Sequence, residues 1–243
     1  MKTSSLGSLS AASRGCAAGV APADDPGELL PIYDEGGTLL GHKPRGAVHL
    51  EGDWHWCFDC WIIAHDEAGR PAVLLQQRSM GKDTWPGRWD ISAAGHYRPG
   101  ESVAEGVREL AEELGVEAKP EELLPLGVRV AATRQVTAAG TVIDREFQDT
   151  YFLRDERALS AYHPSPNEVM GLAHLSVADG HELLTGMVAS LTLPGLAAGD
   201  GGRWFPVQHE LTARSFIPSV DSYLLKVLAL AERALQGERL LYI

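Results

Sequence analysis

The stretch 95–116, GHYRPGESVAEGVRELAEELGV, constrains this chain more than any other. Ser102 is a helix N-cap, and Glu105, three residues on, completes a capping box. Val103, Val107, Leu110, Ala111 and Leu114 then recur at helical spacing and make one apolar face. Gly115 falls where a left-handed C-terminal cap belongs. The pattern predicts a helix over 103–114, with Gly106 inside it at a cost of about 1 kcal/mol relative to Ala.

The polar face of this helix is unusual. Glu109 lies three residues before Glu112 and four before Glu113, so the three carboxylates share one side. Like charges at that spacing destabilise a helix by a few tenths of a kcal/mol each. Arg108 can reach Glu112 at i,i+4, and a divalent cation would offset far more, because hard cations seek carboxylate oxygens. A solvated acidic face is the competing reading. It loses ground because Gly95 and the turn Pro99-Gly100-Glu101 precede the acids at fixed spacing.

This combination resembles the signature of the Nudix hydrolases. RELAEELGV, 108–116, matches the second half of that signature at every specified position, and Gly95, five residues, then Glu101 matches the first. One departure stands out: six residues separate Glu101 from Arg108, where the pattern has seven. The missing residue falls at the loop-to-helix junction and bears on where Glu101 is placed. The resemblance covers about 30–181. IYDEGGTLLGHKPRGAVHLEGDWHWCFDCWI and GKDTWPGRWDISAAGH look like the branch similar to isopentenyl diphosphate isomerase.

The resemblance implies an α/β fold, a Nudix-type α/β/α sandwich with a mixed sheet. Strands followed by a helix and more strands fit that arrangement. It also implies Mg²⁺ (or Mn²⁺) held by Glu109, Glu112 and Glu113, with Arg108 orienting them. A second metal site is implied at His49, His55, His96, Asp144 and Glu146, His49 and His55 being one residue closer together than in the isomerase pattern. Asp144 and Glu146, two apart, point to the same side of a strand. Glu168 is a candidate base, and Glu112, Glu113, Arg108 and Glu168 make up the expected catalytic set. Arg78, Lys82, Arg88 and Gly95 are expected to contact substrate.

The isomerase needs a cysteine just before its Gly-His pair, and Ala94 stands there. Moving a double bond requires one group to give a proton and another to remove one, and a methyl group does neither. The expected activity is therefore hydrolysis of a diphosphate linkage in a nucleoside diphosphate derivative or related organic diphosphate. Isomerisation and non-catalytic binding of a phosphate ligand are the alternatives.

A formal net charge of -12 disfavours general affinity for nucleic acid. No apolar run long enough to span a membrane occurs in the sequence. Three cysteines, an odd and low number, argue for a reducing compartment, and a cytoplasmic location is expected. Cys57 and Cys60, three apart on a strand, read as buried thiols on opposite faces.

Residues 1–27 read as a disordered tail whose Ser/Ala content would also suit an organelle transit peptide. Residues 28–181 read as the Nudix domain. Residues 182–243 read as an extension whose helix packs on that domain and is a candidate homodimer contact. Within the extension, 191–205 reads as a loop. Val220, Tyr223, Leu224, Val227, Leu228, Ala231 and Leu235 form a helical stripe. Elsewhere, strands are expected at 56–65, 72–78, 90–93, 123–132, 146–153 and 167–175.

Overall fold

The computed structural model describes residues 23–137 and 140–243. Most of the expected tail, 1–22, lies outside the described residues, as do 138 and 139. The chain enters through a hairpin, β1 (Leu29–Tyr33) and β2 (Leu39–Pro44), and a short helix α1 (Arg45–Glu51). A tight turn joins the hairpin: Asp34 N–H donates to Thr38 O at 2.9 Å, and Gly37 takes φ 81. Next come β3 (Trp54–His65) and β4 (Pro71–Arg78), an antiparallel pair around the turn at Asp66–Gly69.

The acidic stretch follows β5 (Trp89–Asp90) and β6 (Ala93–His96), two short strands in place of the single one expected at 90–93. Its helix is also split, into α2 (Val103–Gly106) and α3 (Arg108–Leu114). Ser102 and Glu105 form the expected capping box, and Gly115 the expected left-handed cap at φ 68. The break is at Val107, whose φ of -57 and ψ of -19 tighten the chain toward a 3₁₀ turn. It falls at the junction where the signature is one residue short. A side chain on Gly106 would overlap the Tyr97 ring, so the glycine is needed there for close packing despite its cost in helix propensity.

Two long strands, β7 (Leu123–Thr137) and β8 (Gly140–Arg154), extend well past the expected 123–132 and 146–153. Their outer halves bury few side chains, with Val130 and Val136 exposed. The backbone ladder, rather than burial, holds them. After β9 (Val169–Ser176) and α4 (Val177–Leu184), the loop expected at 191–205 is instead a hairpin of β10 (Leu191–Ala198) and β11 (Trp204–Leu211). The two pair in unbroken register from Leu191↔Leu211 to Ala198↔Trp204. Glycines, alanines and two prolines hide the strand period there. Helix α5 (Tyr223–Leu235) closes the chain, and Val220, expected on its apolar stripe, lies outside it and fully exposed.

The sheet runs β11-β10-β9-β4-β3-β1-β2, with β6 and β8 also paired to β3. The β3–β8 pair is parallel and the others antiparallel, so the sheet is mixed, as expected. Strand β3 is buried on both faces. Phe58, Cys60 and Ile62 meet Leu110 and Leu114 of α3, and Trp61 and Ile63 share a cluster with Val227, Leu228 and Ala231 of α5. Full burial of each large apolar side chain contributes about 1.5–3 kcal/mol. The result is a helix–sheet–helix sandwich in which α3 rides on β6 with its acids facing a cleft. Cys57 and Cys60 are free, buried thiols, as expected. Among the described residues no helix is long and apolar enough to cross a membrane.

Candidate active site

A cleft of about 720 Å³ opens beside α3, and Glu109, Glu112 and Glu113 all line it. Arg108 ties Glu101, Glu109 and Glu112 together. Its Nε and Nη2 donate to the two oxygens of Glu101 at 3.0 Å each. Nη1 contacts Glu109 and reaches Glu112 Oε2 at 3.1 Å, while Nη2 also donates to His96 O at 3.1 Å. Glu101 is thus in place despite the shortened signature, further held by Arg98 N–H at 2.8 Å. Bidentate guanidinium–carboxylate pairing of this kind fixes orientation as well as energy.

Glu113 lies deeper, accepting from Gln76 Nε2 at 3.0 Å and from Ala94 N–H at 3.3 Å. Burial pushes its carboxyl up to about 8, although Lys82 opposes the shift. Burial likewise raises Glu109 to about 7 against the pull of Arg108. Glu112 is the exposed member of the trio, its side chain 48% accessible. Gly95 lies so close under Glu109 that a side chain there would overlap the carboxyl.

A second cluster forms where α1, β3, β6 and β8 meet. Ligand atoms of His49, His55 and His96 lie within 4.8 Å of one another, as do those of His55, Asp144 and Glu146. The tight turn after α1, with Gly52 at φ 74, returns the chain so that the His49 and His55 rings sit 5.3 Å apart despite the shortened spacing. His55 Nδ1 faces Asp53 O at 3.0 Å, which leaves Nε2 pointing at Asp144 Oδ1, 3.4 Å away. His49 Nε2, His55 Nε2 and Asp144 Oδ1 are buried without a hydrogen-bond partner.

Burial, helped by Arg45, lowers His49 to about 4 and His96 well below the usual imidazole range, so both rings keep a lone pair. Burial opposes the His55 cation too, but Asp144 and Glu146 outweigh it and raise His55. Burial, then Asp144, lifts Glu146 to about 7. Buried polar groups are normally paired, so facing lone pairs and acid oxygens without partners fit a divalent cation.

The basic residues are placed less uniformly. Arg78 lines the cleft, but its donors are taken by Thr84 O at 3.0 Å, Asp90 Oδ2 at 3.0 Å and Thr84 Oγ1 at 3.2 Å. It therefore holds the 79–90 segment, and its fork is not free for substrate. Lys82 also lines the cleft, in contact with Glu168 and 3.4 Å from Asp24 Oδ1. Arg88 is not among the cleft-lining residues. The turn closed by its N–H on Trp85 O at 3.2 Å takes it off the wall.

Asp24, expected in the disordered tail, is instead buried. It pairs with Arg45 at 2.9 Å and accepts Asp83 N–H at 2.8 Å. Arg45, Asp59 and Arg129 line the cleft as well, and sequence reasoning passed over all three. Arg45 carried a weak signal, lying one helical turn before His49. Asp59 carried another, as a charge inside an otherwise apolar strand. Arg129 carried none.

Comparison with known proteins identifies the family. The NUDIX domain family model matches residues 55–189. An uncharacterised Nudix hydrolase of Clostridium acetobutylicum is 34% identical over 196 residues, 81% of this chain and 93% of its own length. The isopentenyl-diphosphate Delta-isomerase of Agromyces mediolanus is 35% identical over 160 residues, 65% of this chain and 71% of the isomerase. A crystal structure from Deinococcus radiodurans aligns with a TM-score of 0.46 and 22% identity, over 66% of this chain and 88% of that one. The chain belongs to the Nudix hydrolase family, in the branch similar to isopentenyl-diphosphate isomerase.

Proposed function

We propose that the protein is a Mg²⁺- or Mn²⁺-dependent pyrophosphohydrolase that cleaves the diphosphate linkage of a nucleoside diphosphate derivative or related organic diphosphate. The observation that carries this reading is the acidic trio on α3, turned into a cleft with one arginine bonded to two of its members. Glu109, Glu112 and Glu113 would hold the cation. His49, His55, His96, Asp144 and Glu146 would hold a second. When bound, such cations neutralise charge on phosphate oxygens and make water a better nucleophile.

The chain's own residues do the rest. Arg108, itself held by Glu101, orients Glu109 and Glu112, Gln76 orients Glu113, and Gly95 leaves room for Glu109 against β6. Glu168, which lines the cleft, is the base, and Lys82 beside it holds the carboxylate in place. With Arg78 committed to its own loop, Lys82 and Arg45 are the cationic contacts for the distal phosphate.

One observation favours a second reading. The His49–His55–His96 cluster is the part of the site that the isomerase branch implies, and isomerase relatives match most of the domain. Against it, Ala94 lines the cleft with a methyl group where a proton donor is required.

The test is incubation of the full chain with Mg²⁺ and a panel of organic diphosphates, products being identified by mass. Glu112→Gln should leave the fold intact and lower turnover at least 100-fold. An unchanged rate would refute the metal assignment.

A further inference from the structure

Beyond the acidic clusters the cleft changes character. Trp61, Trp89, Phe216 and Tyr223 line an aromatic end, all within or packed on one hydrophobic cluster. Its outer wall is the segment 216–222, which leads into α5 at Tyr223. Ile217 N–H donates to Trp89 O at 3.3 Å, and Trp61 Nε1 donates to Tyr223 OH at 3.0 Å, so the wall is fastened at both ends. The family match stops at residue 189, and this wall lies outside it.

From the wall a chain of hydrogen bonds runs back to the histidine–acid cluster. Asp221 accepts from Arg129 Nε and Nη2 at 3.0 Å each, and the guanidinium lies 4.0 Å over the Tyr223 ring. Arg129 Nη1 donates to Gln148 Oε1 at 2.5 Å, directly across the β7–β8 ladder. Gln148 Nε2 then donates to Glu146 Oε2 at 2.7 Å. The other Glu146 oxygen, Oε1, lies 3.9 Å from both His55 Nε2 and His96 Nε2.

Each link dictates the next. An arginine only donates, so the Gln148 amide must turn its oxygen to Arg129 and its NH₂ to Glu146. That bond occupies one Glu146 oxygen and leaves the other for the histidines. Without Arg129 the amide is free to turn over and set oxygen against oxygen. Arg129 has its own planar fork fixed by both oxygens of Asp221.

We propose that Gln148, Arg129 and Asp221 form a positioning relay through which the C-terminal wall sets the affinity of the histidine–acid cluster for its divalent cation. The proposal rests on the reading of that cluster as a second cation site. Metal-ligating carboxylates depend on outer partners that hold them in place. By linkage, whatever orders the wall strengthens cation binding, and the cation steadies the wall in return.

The test is Mn²⁺ binding to the full chain, with no substrate and no turnover. Free Mn²⁺ is followed by electron paramagnetic resonance, and the histidine-bound ion is recognised by its nitrogen coupling and by its loss in His96→Ala. Gln148→Met, close in size but without the amide, should weaken that site about 10-fold or more. Asp221→Ala, where the side chain is already 31% accessible, should weaken it about threefold. Val220→Ala, fully exposed on the same wall, should leave it unchanged. In the double variant Asp221→Ala should add nothing to Gln148→Met, because its effect passes through the amide. If Gln148→Met melts below the assay temperature, Arg129→Lys takes its place in both the single and the double variant. Unchanged affinity in the single variants, or losses that add in the double one, would overturn the relay and leave the cation site standing. A wild-type protein without nitrogen-coupled Mn²⁺ would overturn the second cation site and the relay together.

Discussion

Gly95 and Glu109 are packed so closely that a methyl group on Gly95 would occupy the space of the Glu109 carboxyl. Strand β6 is thus the floor on which α3 sets its first acid. Gly95→Ala displaces the end of a flexible side chain and leaves the backbone where it is. Turnover should fall about 100-fold, as small misplacements of reacting groups do, while the melting temperature shifts by only a few degrees. Steady-state kinetics beside a thermal melt checks both. Retained turnover would show that Glu109 has no role in the reaction.

Arg108 holds Glu101 through two parallel bonds and reaches Glu109 and Glu112 with its remaining donors. A lysine keeps the charge and loses the fork. Arg108→Lys should raise the Mg²⁺ concentration for half-maximal activity by about 10-fold or more, in line with the loss of residues that orient metal ligands. Replacement of Glu101 by Gln should do the same to a smaller degree, measured by Mg²⁺ titration of activity.

Burial raises Glu113 to about 8 and Glu109 and Glu146 to about 7, whereas an unfolded glutamate titrates near about 4.3. Between those values the folded, metal-free protein holds protons that the unfolded chain has released. The stability these groups contribute is therefore full below about pH 4 and is lost as pH rises through 7 and 8. Melting of the metal-free protein should drop between pH 6 and 8.5, and Mg²⁺ should raise the melting temperature more at pH 8.5 than at pH 6. Equal increments at both pH values would contradict the assignment of these acids to metal.

Much of this was legible because it is local. The capping box, Gly115 and the apolar face of 103–114 are short-range signals, and so is the i, i+3, i+4 grouping of Glu109, Glu112 and Glu113. The histidine–acid cluster was reachable only through family resemblance, since α1, β3, β6 and β8 bring it together from separate stretches. The joining of the aromatic end of the cleft was not legible. Asp59, Arg129, Phe216 and Tyr223 are distant in sequence, and the pairings that join them depend on sheet register. Strands β10 and β11 escaped notice because prolines and small residues broke their alternation, although backbone pairing there is complete.

Asp24 is the anchor of the segment before β1. It pairs with Arg45 and Lys82 and accepts the Asp83 amide, with a side chain only 3% accessible. Removing one partner of a buried charge network leaves the others uncompensated, at about 3–5 kcal/mol. Asp24→Ala should lower the melting temperature by roughly 6–20 °C, given about 2–4 °C per kcal/mol for a chain of this size. Differential scanning calorimetry checks this, and a shift under about 2 °C would show the network to be dispensable.

The most direct test of the central claim follows the oxygen of the attacking water. The protein is incubated with Mg²⁺ and nucleoside diphosphate derivatives in H₂¹⁸O, and the products are weighed. The account predicts scission of the diphosphate with a single ¹⁸O on one of the two phosphate products, abolished in Glu112→Gln. No labelled product from any member of the panel, together with conversion of isopentenyl diphosphate to its dimethylallyl isomer, would contradict it.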